Sequence, residues 1–451
     1  MKNVLILGAG ISGLGAADVL SERNKAVTVS DLRRNEKRSD QIEALEKRGV
    51  RFCFGPQTPS LLDGMDTVLV SPVIPRENPV VTEALSRSIP VISEIELAYR
   101  VAKVPILAVT GTNGKTTTTK LLGEMIHNSG IPSAVAGNLG LSLSREAEKV
   151  PEDGLIAAEV SSFQLEWIDA FRPKAAVILN ITPDHFERHH TMEAYVAAKA
   201  RIFENMGPED CLLLNREDPY TEELSKKAGH TCVCLFSTEG PVAEGAFVKE
   251  GTLFLRRRRE TIPLVKTEDL LLKGKHNWSN ALAAAFLAHE GGVPLSTIRE
   301  GLLHFKGLEH RIEFVRTLRG VSYYNDSKAT NTDAAEKGMG AFGKQVILIA
   351  GGHDKETPLS EFMGVAAHHV KRMILIGEAA DRFEKAAEAG GLLPAMALER
   401  ASSMKDAVER ASKEAVPGDV VLLSPACSSF DMYSSYQERG RDFKSIVNAL
   451  N

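Results

Sequence analysis

Nowhere in these 451 residues do roughly 20 consecutive apolar side chains occur, the length a helix needs to cross a bilayer. The start of the sequence also lacks a basic segment followed by a long apolar one, so neither export nor membrane insertion is expected. Charge of one sign is missing too. Lys and Arg number 54 against 59 Asp and Glu, a formal net charge of -5, which gives no field to concentrate nucleic acid or anionic lipid. The one basic run, Arg256 to Arg259, reads as a solvated strand or turn. Cysteine is scarce and odd in number, with Cys53, Cys211, Cys232, Cys234 and Cys427. That favours reduced thiols in the cytoplasm over a disulfide framework. Cys232 and Cys234 read as a metal pair or, in the plainer reading, as buried strand thiols.

What is present is the balance of a globular protein, 43% hydrophobic and 25% charged. At roughly 100 to 200 residues per core, the length predicts about three domains. Strand-like runs Val4–Leu7, Ala26–Ser30 and Thr67–Val70 alternate with helical segments Gly13–Arg23 and Asp40–Arg48, a βαβ pattern. A second α/β domain opens at the strand Pro105–Thr110 and continues through Leu155–Val160 and Ala175–Asn180. Between Cys211 and Val265 the elements shorten, which predicts an antiparallel patch before a helix over Asn277–His289. A hinge is expected at Phe305–Arg311. Strands at Gln345–Ala350, Arg372–Ile376 and Val420–Ser424 then predict another open parallel sheet. The fold class is α/β, with domains at 1–97, 98–305 and 306–451.

Gly111-Thr112-Asn113-Gly114-Lys115-Thr116-Thr117 lies between a buried strand and a helix, where backbone N–H groups and a helix N-terminus cradle phosphates. Lys115 would meet the terminal phosphates and the Thr116 hydroxyl suits Mg²⁺. Val109 stands where the usual motif begins with glycine. Glu159 closes an apolar strand and could hold a metal ion at that edge, and His185 follows a second strand. Lys199 shares an apolar helical stripe with Tyr195, Val196, Ile202 and Phe203. Burial would lower its pKa and leave a neutral amine able to take up carbon dioxide as a carbamate. From the spacing alone the plainer reading is a packed stem with its amine reaching water.

Gly8-Ala-Gly10-Ile-Ser-Gly13 follows a strand and opens a helix, and Asp31 ends the next strand, as in dinucleotide-binding folds. Alone this suggests a dehydrogenase. The second nucleotide loop a hundred residues on favours instead a nucleotide-sugar in the first domain and ATP in the second. In the last third, Asn325–Asn331, Gly351–Lys355 and Ser424–Asp431 place cations and hydroxyls in loops after strands, fit to hold an anionic ligand.

The Thr110–Thr117 loop, Glu159-Val-Ser-Ser-Phe-Gln164, Asp184-His185, Ala197-Ala-Lys199, His276-Asn277 with Asn280, His310-Arg311 and Asn325–Asn331 together resemble the Mur ligases over essentially the whole chain. Gly8–Gly13, Gly137-Asn138, Ser161–Gln164 and Ser424–Asp431 are most similar to the member that adds D-glutamate. The resemblance implies a Rossmann-like N-terminal domain, a central P-loop ATPase with a mixed sheet, and a Rossmann-like C-terminal domain. It implies ATP, UDP-N-acetylmuramoyl-L-alanine and D-glutamate as substrates, two Mg²⁺ sites, a monomer, and neither nucleic acid nor membrane as partner. By motif, Ser12, Asp31, Arg33, Ser71 and Asn138 would contact the nucleotide-sugar. Gly111, Thr112, Asn113, Gly114, Lys115, Thr116, Thr117, Asn277, Asn280, Arg311 and Asp326 would serve ATP. Thr116 and Glu159 would hold one Mg²⁺, and His185 with Lys199, carbamylated by CO₂, the other. Thr330, Lys355, Ser429, Phe430 and Tyr436 would take D-glutamate, with Lys328 near the reacting groups. Val73, Leu32 and Tyr436 depart from the residues usual in such proteins.

Overall fold

The computed structural model of the chain describes every residue except Lys273, Lys344, Lys355, Glu356 and 392–395, and only the backbone of Glu187. The chain forms two compact units, Met1–Asp269 with Ser279–Leu303, and Leu270–Trp278 with His304–Asn451.

The first unit carries two sheets. Strands β1 (Asn3–Leu7), β2 (Ala26–Asp31), β3 (Arg51–Phe54), β4 (Thr67–Val70) and β5 (Val91–Ser93) are all parallel, in the order β3-β2-β1-β4-β5. Both faces of β1 and β4 are buried, which is why these strands read as continuous apolar runs without alternation. The order reverses between β1 and β4, and the Gly8–Gly13 turn emerges there. A Cβ on Gly13 would stand 1.9 Å from the Gly8 carbonyl oxygen, so only glycine lets the helix Ile11–Glu22 approach its strand.

The second sheet holds β6 (Ile106–Thr110), β7 (Ser133–Gly137), β8 (Leu155–Glu159), β9 (Ala175–Ile178), β10 (Cys211–Asn215), β11 (Cys232–Ser237), β12 (Gly245–Lys249), β13 (Thr252–Arg257) and β14 (Glu260–Lys266). Its order is β14-β13-β12-β11-β10-β9-β6-β8-β7. The antiparallel patch expected from Cys211 onward is smaller than the turn residues suggest. Strands β10, β11 and β12 continue the parallel sheet, and only β12-β13-β14 run antiparallel. The basic run spans the end of β13 and a turn in which Arg258 and Arg259 have φ of 49° and 69°. Arg257, however, is turned inward and paired with Glu290.

In the second unit, β15 (Glu313–Leu318), β16 (Val321–Asn325), β17 (Val346–Gly351), β18 (Val370–Ile376), β19 (Ala397–Arg400) and β20 (Val420–Leu423) form a sheet in the order β15-β16-β20-β17-β18-β19. Only β15 is antiparallel to its neighbour. The carboxyl ends of β16, β20 and β17 therefore stand side by side, which gathers the three polar loops of the last third on one edge, as expected. The segment expected to be a hinge has no helix or strand; it holds one isolated bridge, Leu308 to Arg311. No helix among the described residues is long and apolar enough to cross a membrane.

Candidate active site

The phosphate loop leaves the carboxyl end of β6, the strand between β8 and β9. Gly114 takes a left-handed φ of 86° and opens the helix Lys115–Asn128 with no side chain capping it. The first N–H groups of that helix are therefore offered to an anion. A Cβ on Gly114 would lie 2.3 Å from Oδ1 of Asn280, which also accepts from the Thr118 hydroxyl at 3.2 Å. Asn280 thus backs the loop directly. Asn277 lies one turn earlier on the same helix, Lys275–Glu290.

The strand beside the loop fixes its shape. Asn180, after β9, accepts from the Asn113 N–H at 2.8 Å and donates to the Asn113 carbonyl at 3.1 Å. The Thr112 hydroxyl donates to the Thr182 carbonyl at 3.2 Å, accepts from the Thr182 N–H at 3.0 Å, and lies 3.1 Å from the Tyr195 hydroxyl. None of these partners was legible as a site residue. Asn180 had one clue, a polar residue closing an apolar strand next to a glycine loop.

Lys115 donates through Nζ to the carbonyl oxygens of Gly111 and Thr112, each at 2.8 Å. Lys199 reaches the same Gly111 oxygen at 2.8 Å from the helix Met192–Ala200, which tightens into a 3₁₀ turn at Arg201–Phe203. Its side chain is buried, with the amine 4.5 Å from the centre of the Tyr195 ring. Burial first, and then the Lys115 cation, push the Lys199 ammonium well below its usual range, with Asp184 pulling the other way. The amine ends on the phosphate loop and does not snorkel to water.

Glu159 ends β8 and is 2% exposed. Its Oε1 accepts from Asn138 Nδ2 at 3.0 Å, while Oε2 is buried with no partner. A buried carboxylate oxygen left unpaired is costly, and a divalent cation beside the loop would satisfy it; oxygen ligands of this kind suit Mg²⁺. The polar stretch after Glu159 is a capping box, with Ser161 and Gln164 bonded reciprocally at the start of the short helix Ser162–Leu165. His185 takes a left-handed φ of 54°, uncommon for a residue with a side chain. Its ring packs on Phe163 at 4.8 Å and its Nε2 lies 3.5 Å from Asp184. Nearby His189 is bonded to the Ser162 hydroxyl at 2.9 Å, and burial lowers its pKa.

At the first sheet, Asp31 Oδ2 accepts the Ala9 N–H at 2.7 Å and Oδ1 the Arg33 N–H at 3.3 Å, so this carboxylate shapes the glycine turn itself. The Ser71 hydroxyl closes on the Gly8 carbonyl at 3.5 Å, and Ser12 lies in the first turn of the following helix. Leu32 and Val73, the two departures from the family pattern here, are exposed apolar side chains at 66% and 80%. Asn138 belongs to the second sheet, where it is committed to Glu159.

In the second unit, Asp326 follows β16 and is buried. Its Oδ2 accepts from the Ser424 hydroxyl at 2.7 Å and its Oδ1 from the Ile312 N–H at 3.2 Å. Burial pushes its carboxyl up to about 7, against those bonds and the Arg311 charge. Lys328 Nζ lies 5.8 Å from the centre of the Tyr436 ring, and the Thr330 N–H bonds the Lys328 carbonyl at 2.9 Å. Ser429 is buried and Phe430 is 71% exposed. Lys355 lies outside the described residues.

Sequence reasoning missed Arg439. Fully buried, it donates to the Ser327 hydroxyl at 3.0 Å and to the carbonyls of Ser327, Cys427 and Ser428 at 2.9 to 3.1 Å. One guanidinium thus ties the Asp326–Lys328 loop to the Ser424–Asp431 loop. Burial pushes it down to about 10. An arginine in a helix gives no signal of this kind in sequence.

A glycine loop with its lysine at a helix start, flanked by a buried strand-end carboxylate, defines an α/β protein that handles nucleotide phosphates. The chain belongs to the Mur ligase family, and is accordingly an ATP-dependent ligase. Residues 109–288 match the Mur ligase middle domain, 310–427 the Mur ligase glutamate ligase domain and 2–93 the Mur ligase MurD-like N-terminal domain. A relative from Thermoanaerobacter sp. named UDP-N-acetylmuramoylalanine--D-glutamate ligase is 41% identical over 450 residues, covering 100% of this chain and 98% of that protein. Another of that name, from Caldanaerobacter subterraneus subsp. tengcongensis, is 42% identical over 449 residues with the same coverage. The solved pseudomurein peptide ligase type C from Methanothermus fervidus shares the fold, with a TM-score of 0.57 at 19% identity over 100% of both chains.

Proposed function

We propose that this protein joins D-glutamate to UDP-N-acetylmuramoyl-L-alanine, with ATP cleaved to ADP and phosphate, in cytoplasmic synthesis of peptidoglycan precursors. The observation that carries the chemistry is the pair of lysines on the Gly111 carbonyl of the phosphate loop, in a sheet whose next strand ends in the half-paired carboxylate of Glu159. Full-length relatives of that name supply the choice of substrates.

In this reading Lys115 leaves its two carbonyls for the β- and γ-phosphates, and the first-turn N–H groups of the helix Lys115–Asn128 receive phosphate oxygens. Asn277, Asn280, Arg311 and Asp326 serve the nucleotide as well. The alanyl carboxylate attacks the γ-phosphorus in line, forming an acyl phosphate and releasing ADP. The amine of D-glutamate then attacks the acyl carbon, phosphate leaves with the C–O electron pair, and the amine loses a proton as the amide forms. By motif match Lys328 would come near the reacting groups, and the cationic site would stabilise the tetrahedral oxyanion.

Thr116 and Glu159 would hold one Mg²⁺, and His185 with Lys199 the other; bound there, the ions offset charge on the transferring oxygens. For Lys199 to serve, its neutral amine adds to CO₂ and loses a proton, giving a carbamate anion in place of a cation. Its burial and depressed pKa favour that reaction. Ser12, Asp31, Arg33 and Ser71 would meet the nucleotide-sugar, with Asn138 acting through Glu159. Thr330, Lys355, Ser429, Phe430 and Tyr436 would meet D-glutamate. The domain limits 1–97, 98–305 and 306–451 and a monomeric state belong to the same proposal.

The test is phosphate release from MgATP with UDP-N-acetylmuramoyl-L-alanine, comparing D-glutamate with L-lysine, diaminopimelate and L-alanine. Release that depends on D-glutamate is expected; equal or greater release with another amino acid overturns the substrate assignment.

A further inference from the structure

Three of the five cysteines meet at a place the ligase chemistry does not use. Cys211 opens β10 and Cys232 opens the adjacent parallel strand β11, and the two are directly paired in register. Cys234 follows two residues later and so points to the same face as Cys232. The three sulfur atoms lie within 4.8 Å of one another, with Cys211 and Cys234 at 3.6 Å. The phosphate loop leaves the carboxyl end of β6 in this sheet, whereas these thiols stand at the amino ends of their strands, on the opposite edge.

The Cys211–Cys234 separation of 3.6 Å matches a metal site. A zinc ion holds thiolate sulfur at about 2.3 Å, so tetrahedral geometry sets its sulfurs about 3.8 Å apart. A donor side chain faces the sulfurs as well. Arg257 Nη1 donates to Cys232 and Cys234 Sγ at 3.5 and 3.6 Å, and its other nitrogens form a two-pronged pair with Glu290 at 2.7 and 3.0 Å. Arg257 is already paired with Glu290, so its part is to donate N–H groups to the sulfurs and orient them, not to neutralise the site. N–H donors to ligating sulfur are the usual outer support of thiolate sites. Cys211 and Cys234 are buried and Cys232 is half-buried.

We propose that Cys211, Cys232 and Cys234 bind one thiophilic d¹⁰ divalent cation of the zinc class, clipping β10 to β11 at the edge of the sheet remote from the phosphate loop. Soft sulfur ligands select such an ion over Mg²⁺.

The test uses the full chain, thiols kept reduced, with MgATP present. Zn²⁺ is titrated against a chromophoric chelator and Co²⁺ serves as the spectroscopic probe. One equivalent of zinc is expected, with a sulfur-to-cobalt charge-transfer band that cobalt at an oxygen-lined phosphate site does not give. C234S should weaken zinc binding at least tenfold and C53S should leave it unchanged. C232A, at the half-buried position, keeps the ligase active as a check on folding and loses the band. No charge-transfer band at stoichiometric cobalt, zinc affinity unchanged in both C232A and C234S, or a Cys211–Cys234 disulfide under reducing conditions would each overturn the proposal.

Discussion

Lys115 and Lys199, 84 residues apart in sequence, place their amines on one acceptor, the carbonyl oxygen of Gly111, each at 2.8 Å. Two cations sharing one oxygen repel, and in the buried position the cost falls on Lys199, whose neutral form is favoured. A lysine held this way is prepared to lose its charge, or to exchange it for the negative charge of a carbamate. Lys199→Ala is expected to lose nearly all ligase activity and to regain part of it with millimolar short-chain carboxylic acids. Lys199→Arg, whose cation persists, should not be rescued. Activity assayed against added acetate separates the two; no rescue in the alanine variant would sink the carbamate.

Removing the phosphate-loop amine tests the other lysine. Lys115→Ala should lower kcat by about 10² to 10³, the scale seen when a single stabilising donor to a transition state is deleted. Its melting temperature should move little, because its hydrogen bonds to the two loop carbonyls each make a modest net contribution.

Glu159 carries an unpartnered, buried Oε2. Glu159→Gln keeps the shape and leaves an oxygen for Asn138, but removes the buried charge. The ligand-free protein should therefore melt at the same temperature or slightly higher, while the rise in melting temperature on adding MgATP shrinks. Calorimetry with and without MgATP reads both. A destabilised ligand-free variant with an undiminished MgATP effect would count against a metal-binding role.

Asp326 gives a pH dependence of definite sign. Its pKa is raised from the ordinary 3.8 to about 7 in the fold. Between those values the unfolded chain releases this proton and the folded chain keeps it. The contribution is thus fully present below pH 3.8 and is lost as pH rises towards 7. At 1.36 kcal/mol per unit, the change is on the order of 4 kcal/mol. Asp326→Asn should flatten that part of the stability–pH curve; denaturant unfolding at a series of pH values measures it.

Arg439 bonds three backbone carbonyls and the Ser327 hydroxyl from a fully buried position. Arg439→Met leaves those buried acceptors unpaired, at roughly 1 to 3 kcal/mol for such a group, and lowers the melting temperature. Arg439→Lys keeps the charge without the planar reach. In that milder variant KM for D-glutamate should rise more than KM for ATP, since Ser429 and Phe430 adjoin the carbonyls that lose support.

By itself the sequence determined what local patterns encode. Strands β1, β4, β6 and β8 are apolar runs because both faces are buried, and the glycine turns at Gly8 and Gly111 announce themselves between strand and helix. Lys199 was correctly placed on a buried stripe by helical spacing. Only the tertiary structure decided where the long-range polar bonds go. Asn138 turns to Glu159, Lys199 to Gly111 across 88 residues, and Arg439 to Ser327 across 112. It also decided that β10 to β12 stay parallel and that three cysteines converge. Periodicity reports which face a side chain shares with its neighbours in sequence. Which partner meets that face depends on strand order and register, which arise only when the whole sheet closes.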